Sequence, residues 1–373
     1  MKATINGKQF ADALNKVRRV VSTKGTMPIL SHVLIVARDD STGITISATD
    51  LKMHASVSTD CTIDELGSIT ANAQRLGSLL AALPDEDVTI ESGENNIITV
   101  SCGKSSTQLF SLDAGEFPQG STVDGVSISI KQNVLKLLLQ KTMYAVCVDV
   151  ARANLCGVRL SVSDGKLFAT ATDGKRFALA SCEWQDIAQL DMILPTKAVA
   201  EIERLLDGND DSDSIAKASW DAARITFMID DVIVSSSRIA GKFPDHKMVM
   251  GGINAPLKPI MRTKDFQELI RLAQSIITDS HFALTLSVSG GRLSAHSSIM
   301  DVGKHSDSMG IDYDGEDTSI AISTPILASV ARKIDTEYMC IAIKDALSPC
   351  FIGPVVDGRI DDSQITLVMP IRM

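Results

Sequence analysis

At 373 residues the chain is longer than one ordinary domain, and at about 150 residues per domain it accommodates two or three. Hydrophobic residues at 45% and charged residues at 22% exclude a disordered, collagen-like or coiled-coil chain. With 36 Lys+Arg against 46 Asp+Glu the net charge is −10, which excludes a protein that holds nucleic acid by positive charge over its whole surface and leaves only local basic faces.

The first residues, Met1-Lys2-Ala3-Thr4-Ile5-Asn6-Gly7, turn polar at once, so neither a signal peptide nor a membrane span is expected. Phe10, Ala13, Leu14 and Val17 then fall on one stripe of a helix. Val33 to Val36 and Ile44 to Thr49 alternate as a pair of strands, and a second helix carries Leu76, Leu79, Leu80 and Leu83. The motif Gly115-Glu116-Phe117-Pro118 closes this stretch.

The same order then begins again. Val134, Leu135, Leu138 and Leu139 mark a helix. Val158 to Val162 pairs with Leu167 to Thr172 across the turn Asp164-Gly165, and Val199, Ile202, Leu205 and Leu206 mark the next helix before Gly241-Lys242-Phe243-Pro244. In a third round, Phe266, Leu269, Ile270 and Ala273 form a helix, and Leu284 to Val288 pairs with Leu293 to Ser297 across Gly290-Gly291. Leu327, Val330, Ala331 and Ile334 form the last helix.

Letters repeat as well as elements, since Ala48-Thr49-Asp50 returns as Ala171-Thr172-Asp173, and the period is roughly 124 residues. Three repeats follow, 1–125, 126–253 and 254–373, with Gly, Ser or Pro near each junction and no low-complexity linker, so they are expected to pack end to end. Each reads as two helices covering one face of an antiparallel sheet, an α+β fold.

Charge is distributed unevenly over these elements. Lys8, Lys16, Arg18 and Arg19 crowd the first helix, Lys131, Lys136 and Lys141 the third, and Arg75, Arg332 and Lys333 add to others. The six helices together carry +9, leaving −19 for the rest of the chain. If all six face one way along a curved array, a basic concave surface results.

Signals of chemistry are absent from the sequence. Gly103-Lys104-Ser105 lacks the glycine a phosphate loop requires five positions before its second glycine, where Ile98 stands. Asp207, Asp210, Asp211 and Asp213 lack the glycine and glutamate of a calcium loop. The six histidines (His32, His54, His246, His281, His296, His305) have no ligand spacing, and the seven cysteines (Cys61, Cys102, Cys147, Cys156, Cys182, Cys340, Cys350) form no CxxC pair and read as reduced cytoplasmic thiols. No metal, cofactor or catalytic residue is expected, and aromatic content of 4% is too sparse for stacking single-stranded bases.

Four stretches in this order carry a resemblance: Lys24-Gly25-Thr26-Met27-Pro28-Ile29-Leu30, Ala171-Thr172-Asp173-Gly174-Lys175-Arg176, Gly241-Lys242-Phe243-Pro244-Asp245 and Val368-Met369-Pro370-Ile371-Arg372-Met373. With three repeats of this length, the whole chain resembles the beta subunit of bacterial DNA polymerase III, the sliding clamp family. The resemblance implies three tandem clamp domains forming half of a six-domain ring, closed by a head-to-tail homodimer around duplex DNA with the helices lining the hole. Such a protein is a non-catalytic processivity factor of the bacterial cytoplasm and nucleoid. Its expected partners are the polymerase III alpha subunit, the clamp loader delta subunit and other proteins carrying a clamp-binding peptide, with no membrane partner.

Carried over residue by residue, the resemblance implies a partner-peptide cleft of Leu155, Thr172, Gly174, Lys175, Arg176, Phe177, Pro244, Met248, Val249, Leu347, Ser348, Pro349, Val368, Met369, Pro370, Ile371, Arg372 and Met373. It implies DNA phosphate contacts at Lys24, Arg75, Arg152 and Lys197, and a ring interface at Leu109, Ile276 and Ile277. Thr107 departs from the aromatic residue common at its place, and Asp149 from a neutral polar one. A repeat-built metabolic enzyme would need convergent ionisable residues that the sequence does not offer, and a scaffold binding only proteins would not need basic helices.

Overall fold

The computed structural model describes residues 1–22, 27–39, 43–123, 126–185, 189–247, 258–278 and 280–372. Among the described residues six α-helices each follow directly from a strand: α1 Gly7–Val17, α2 Ala73–Ala82, α3 Gln132–Gln140, α4 Thr196–Leu205, α5 Thr263–Ala273 and α6 Thr324–Ala331. The stripes expected for α1 and α5 are buried, whereas Leu79, Val134 and Leu205 of the others are only half-buried and Leu83, Leu206 and Ile334 follow their helices. Phe10, Leu14 and Val17 of α1 and Phe266, Leu269 and Ile270 of α5 are buried.

A strand can pass straight into a helix only if the first helical N–H groups find acceptors. In α1 and α2 the cap is an asparagine: the Asn6 side chain accepts from the Gln9 N–H and the Asn72 side chain from the Arg75 N–H, both at 3.1 Å. A neighbouring carbonyl takes the first N–H of each repeat's opening helix, Gly7 to Glu86, Gln132 to Ser214 and Thr263 to Glu337, each at 2.9 Å. The threefold repetition is therefore present in the hydrogen bonding as well as in the letters.

The chain divides into two compact units, Met1–Lys136 with Ala200–Arg238, and Leu137–Val199 with Ile239–Met373, so the divisions fall inside α3 and α4. The first holds two sheets. One runs Thr62–Glu65, Lys2–Asn6, Asp87–Ser92, Ile97–Cys102, Ser105–Phe110; the other runs Val126–Lys131, Ile215–Trp220, Arg224–Ile229, Val232–Ser237, Met53–Asp60, Gly43–Thr49, His32–Ala37, Gly67–Asn72. In this larger sheet Val232–Ser237 pairs with Met53–Asp60, Val234 facing Ala55, so strands 178 or so positions apart in sequence share one antiparallel ladder.

The second unit also holds two sheets. One runs Asp191–Pro195, Gly157–Ser163, Lys166–Thr172, Arg176–Glu183, Gln364–Val368, Cys350–Val356, Tyr338–Ala342, Ile260–Arg262, with Arg359–Ile360 paired to Cys350–Val356; the other runs Gly303–Gly310, Arg292–Ile299, Ala283–Ser289, Thr318–Ser323. The hairpins expected at Asp164-Gly165 and Gly290-Gly291 form, with all four turn residues in the left-handed region (φ between 50° and 73°) that matches the twist of the flanking strands. A core of Phe266, Leu269, Ile270, Leu284, Leu286, Leu327 and Ile341 packs α5 and α6 onto these strands.

The larger sheet of each unit joins strands from two sequence repeats. Among the edge strands of these four sheets are Ser105–Phe110 in the first unit and Gly303–Gly310 in the second, each paired on one side only among the described residues. Replacing the α2 cap, Asn72→Ala, removes one acceptor from an otherwise orphaned N–H and should cost about 1 kcal/mol, whereas Asn72→Asp retains the cap. Urea unfolding of the two variants and the parent checks this.

Candidate functional site

The turn joining Lys166–Thr172 to Arg176–Glu183 is built from its own side chains. The Thr172 hydroxyl donates to the Arg176 carbonyl at 2.6 Å and accepts the Gly174 N–H at 3.1 Å. One oxygen of Asp173 accepts the N–H groups of Lys175 and Arg176, and the other takes the Arg176 Nε at 3.0 Å. Gly174 stands at φ +84°, a conformation that a side chain at this place would strain.

Against this turn lies the strand Gln364–Val368, with Arg176 facing Val368 and Phe177 facing Leu367. The following residues continue the contact, the Met369 N–H donating to the Lys175 carbonyl at 2.9 Å and the Ile371 N–H to the Ala321 carbonyl at 2.7 Å. They leave a groove of about 490 Å³ lined by Asp173, Lys175, Phe282, Ser323, Pro325, Ile326, Met369, Pro370 and Ile371. Its lining is apolar apart from the serine and the Asp173 and Lys175 charges at one end, a surface suited to hydrophobic side chains of an extended ligand.

Arg176 is fixed from several directions. Besides Asp173, its guanidinium donates to the Ser329 hydroxyl and lies 5.4 Å from the centroid of the Tyr144 ring. The Tyr144 hydroxyl is hydrogen bonded to Thr366 at 2.5 Å, and burial pushes its phenol up to about 12, so the ring stays neutral beneath the cation. Arg176 therefore ties the turn to α6 and to the strand behind the groove.

A family model for the N-terminal domain of the DNA polymerase III beta subunit matches residues 1–121, and one for its central domain matches residues 129–245. The chain is 30% identical over 383 residues to the beta sliding clamp of Caulobacter vibrioides, covering 100% of both sequences. The chain belongs to the beta sliding clamp family. Among solved structures it superposes on the griselimycin-bound sliding clamp of Bartonella birtlesii with a TM-score of 0.92 at 27% identity, and on the ligand-bound clamp of Pseudomonas aeruginosa with 0.92 at 25%, each covering 100% of both chains. Its role is accordingly that of a DNA clamp serving polymerase processivity, a non-catalytic part of bacterial cytoplasmic replication.

Of the clamp residues expected from sequence, the groove gathers Lys175, Met369, Pro370 and Ile371, with Thr172, Gly174, Arg176 and Val368 in the turn and strand that shape it. Phe177 is instead buried with Phe168 and Leu179, against Phe243 and Leu367. Leu155 is half-buried, Pro244 and Arg372 are exposed, and Leu347, Ser348 and Pro349 follow Asp345, whose carboxylate accepts the N–H groups of Leu347 and Ser348. Met248, Val249, Met373 and the DNA-contact candidate Lys24 lie outside the described residues. Phe282, Pro325 and Ile326 were not expected: Phe282 immediately precedes the strand Ala283–Ser289, Pro325 and Ile326 lie in the first turn of α6, and no local sequence signal marks them as groove residues.

The helices carry less charge than the residue count gives, since Lys131 and Lys141 flank α3 and Arg332 and Lys333 follow α6, and several of the lysines are paired. Lys16 pairs with Asp231 at 2.7 Å, Lys131 with Asp213 at 2.8 Å, and the buried Lys141 with Asp335. Arg75 is exposed in the first turn of α2, and Lys197 in that of α4. Arg152 donates to the Asp173 carbonyl at 2.8 Å and faces Asp149 at 3.5 Å, which places it against the groove turn. Leu109, Ile276 and Ile277 are all half-buried. Among the described residues no cluster of His, Cys, Asp and Glu could hold a metal, and no helix is long and apolar enough to cross a membrane.

Next to Phe243 and Pro244, the buried His246 ring stacks on Phe168 with centroids 4.3 Å apart, and its Nδ1 has no hydrogen-bond partner. Burial lowers its pKa, Asp245 and Asp164 opposing and Arg159 and Lys247 adding to the effect. A histidine held neutral in the fold binds its proton more readily when unfolded, so its contribution to stability is present above the ordinary value of 6.5 and is lost as pH falls through the lowered one. The urea midpoint should therefore drop between pH 7.5 and pH 5.5, and His246→Gln should reduce that drop. An unchanged pH dependence in the variant would assign the effect to His32 and His54, whose values are lowered in the same direction.

Proposed function

We propose that two copies of this chain close head to tail into a ring of six pseudo-equivalent domains, 1–125, 126–253 and 254–373 from each, around duplex DNA. The ring tethers the polymerase III alpha subunit and is opened and placed by a loader through its delta subunit. The observation that carries the reading is the match to beta sliding clamps along 100% of the chain and of its relatives.

Two further features support it. The open edges Ser105–Phe110 and Gly303–Gly310 offer unpaired backbone groups, and strand addition between one edge of each copy would satisfy both. Leu109 would pack there, with Ile276 and Ile277 beside it. The groove supports the second half of the reading: peptides of partner proteins, as well as compounds of the kind named for the Bartonella clamp, would insert apolar side chains over Met369 and Pro370 beside Lys175.

Topological linkage reconciles a net charge of −10 with residence on DNA. Lys24, Arg75, Arg152 and Lys197 would touch phosphates without reading bases, and weak contacts of that kind permit sliding. Loaded with its cognate loader and ATP, the protein should stay on nicked circular duplex at moderate salt and be lost once the circle is linearised. Equal loss from both forms, with a monomeric native mass, would sink the ring.

The groove is tested separately. Deleting 369–373 should leave the native mass of the ring unchanged and weaken binding of a clamp-binding peptide by at least tenfold, since the deletion removes the groove's Met369, Pro370 and Ile371. Fluorescence polarisation of a labelled peptide measures this, and unchanged affinity would remove these residues from the partner site.

A further inference from the structure

Cys147 and Cys156 bracket a short loop whose ends are held together, the Cys147 N–H donating to the Leu155 carbonyl at 3.0 Å. Both sulfurs turn toward one atom: the Asp149 carbonyl oxygen lies 3.9 Å from the Cys147 Sγ and 3.2 Å from the Cys156 Sγ. Cys147 is buried, while Cys156 is half-buried. Between them Val148 and Val150 are 92% and 85% exposed, while the Arg152 and Asn154 side chains anchor the second half of the loop on the Asp173 and Lys242 carbonyls. Other cysteines do not converge in this way. Cys340 faces Gly353 and Cys350 faces Val368 across their ladders.

We propose that Cys147 and Cys156 form a reversible intramolecular disulfide, a redox modification site that closes the loop 148–155. A backbone already in register at residues 147 and 155 brings the two Cα atoms toward the separation that a disulfide spans, and the shared acceptor holds both sulfurs in one neighbourhood. The oxidant is a peroxide. The more accessible Cys156, as thiolate, attacks one peroxide oxygen, the O–O bond breaks and hydroxide leaves, giving a sulfenic acid. The Cys147 thiolate then attacks the Cys156 sulfur, the S–O bond breaks and a second hydroxide leaves. The two thiol protons complete two waters, and the peroxide carries away both electrons. A low-molecular-weight thiol reverses the bond by exchange.

Burial and, after it, the neighbouring Cys147 hold the Cys156 thiol above its ordinary range, with Asp149 adding to this and Arg152 opposing it. Little thiolate is present at neutral pH, and the reaction should quicken about tenfold for each pH unit toward the thiol's own value. The loop also carries Arg152, whose guanidinium holds the Asp173 carbonyl.

The full-length protein treated with hydrogen peroxide and alkylated with N-ethylmaleimide is digested with trypsin, which cuts after Arg152 and so separates the two cysteines. A disulfide-linked pair of peptides 142–152 and 153–159, lost on reduction and absent from both Cys147→Ser and Cys156→Ser, is the expected result. Slower amide hydrogen exchange across 148–155 in the oxidised protein should accompany it. Overoxidation of Cys156 to sulfinic acid without the linked pair, or its linkage to a second molecule or to any cysteine other than Cys147, would overturn the proposal. Exchange is read on the unsubstituted protein, so unchanged exchange across the loop after linkage would overturn the claim that the bond closes it, whatever the variants do.

Discussion

The ladder between Arg176–Glu183 and Gln364–Val368 is the constraint on which the groove depends. It is made of backbone hydrogen bonds, so it does not require particular side chains, and it joins strands almost two hundred positions apart in sequence. Because Arg176 faces Val368, the residues just beyond each strand, Lys175 and Met369, are forced into contact, and their own hydrogen bond continues the ladder by one step. A groove built this way can persist between this chain and a relative 30% identical to it as long as register is kept.

Register alone would leave the turn free to move, and a cluster of polar contacts removes that freedom. Asp173 binds two N–H groups and the Arg176 side chain, its carbonyl accepts from Arg152, and Arg176 reaches Ser329 and Tyr144. The contacts of Arg176 with Asp173 and Ser329 are partly buried, where hydrogen bonds to charged groups are worth more than at the surface and where a missing partner costs most. The groove thus has one wall held by charge and another made of the flexible Met369 beside Pro370, a combination that fixes where a peptide lies while tolerating variation in what it inserts.

Local features were legible in the sequence because local physics decides them. The helix stripes at Phe10, Leu14 and Val17 or at Phe266, Leu269 and Ile270, and the turns at Asp164-Gly165 and Gly290-Gly291, follow from periodicity and from which residues accept a positive φ. The pairing of Val232–Ser237 with Met53–Asp60 was not legible, since one amphipathic strand has no written preference for another. The turn motif around Thr172 to Arg176 and the residues 368–371 were found through family resemblance. Phe282, Pro325 and Ile326, which complete the groove, had no motif and emerge only when the start of the strand Ala283–Ser289 and the first turn of α6 fold beside it.

Charge was legible in sign and overstated in amount. Counting residues assigns the helices a large positive excess, yet Lys131 and Lys141 flank α3 without belonging to it, and they and Lys16 each meet a carboxylate. The Lys141 pair is the most consequential, because an almost fully buried ammonium without Asp335 and the Lys333 carbonyl would be costly, so this lysine acts in packing and not in a field. Exposed pairs such as Lys131 with Asp213 are weak and open to competition. A polyanion approaching these helices would meet lysines whose present partners are easily exchanged, and its attraction would be modest and strongly dependent on salt. Modest attraction is what a tether that must move along its template requires, provided that a closed ring, and not affinity, prevents escape.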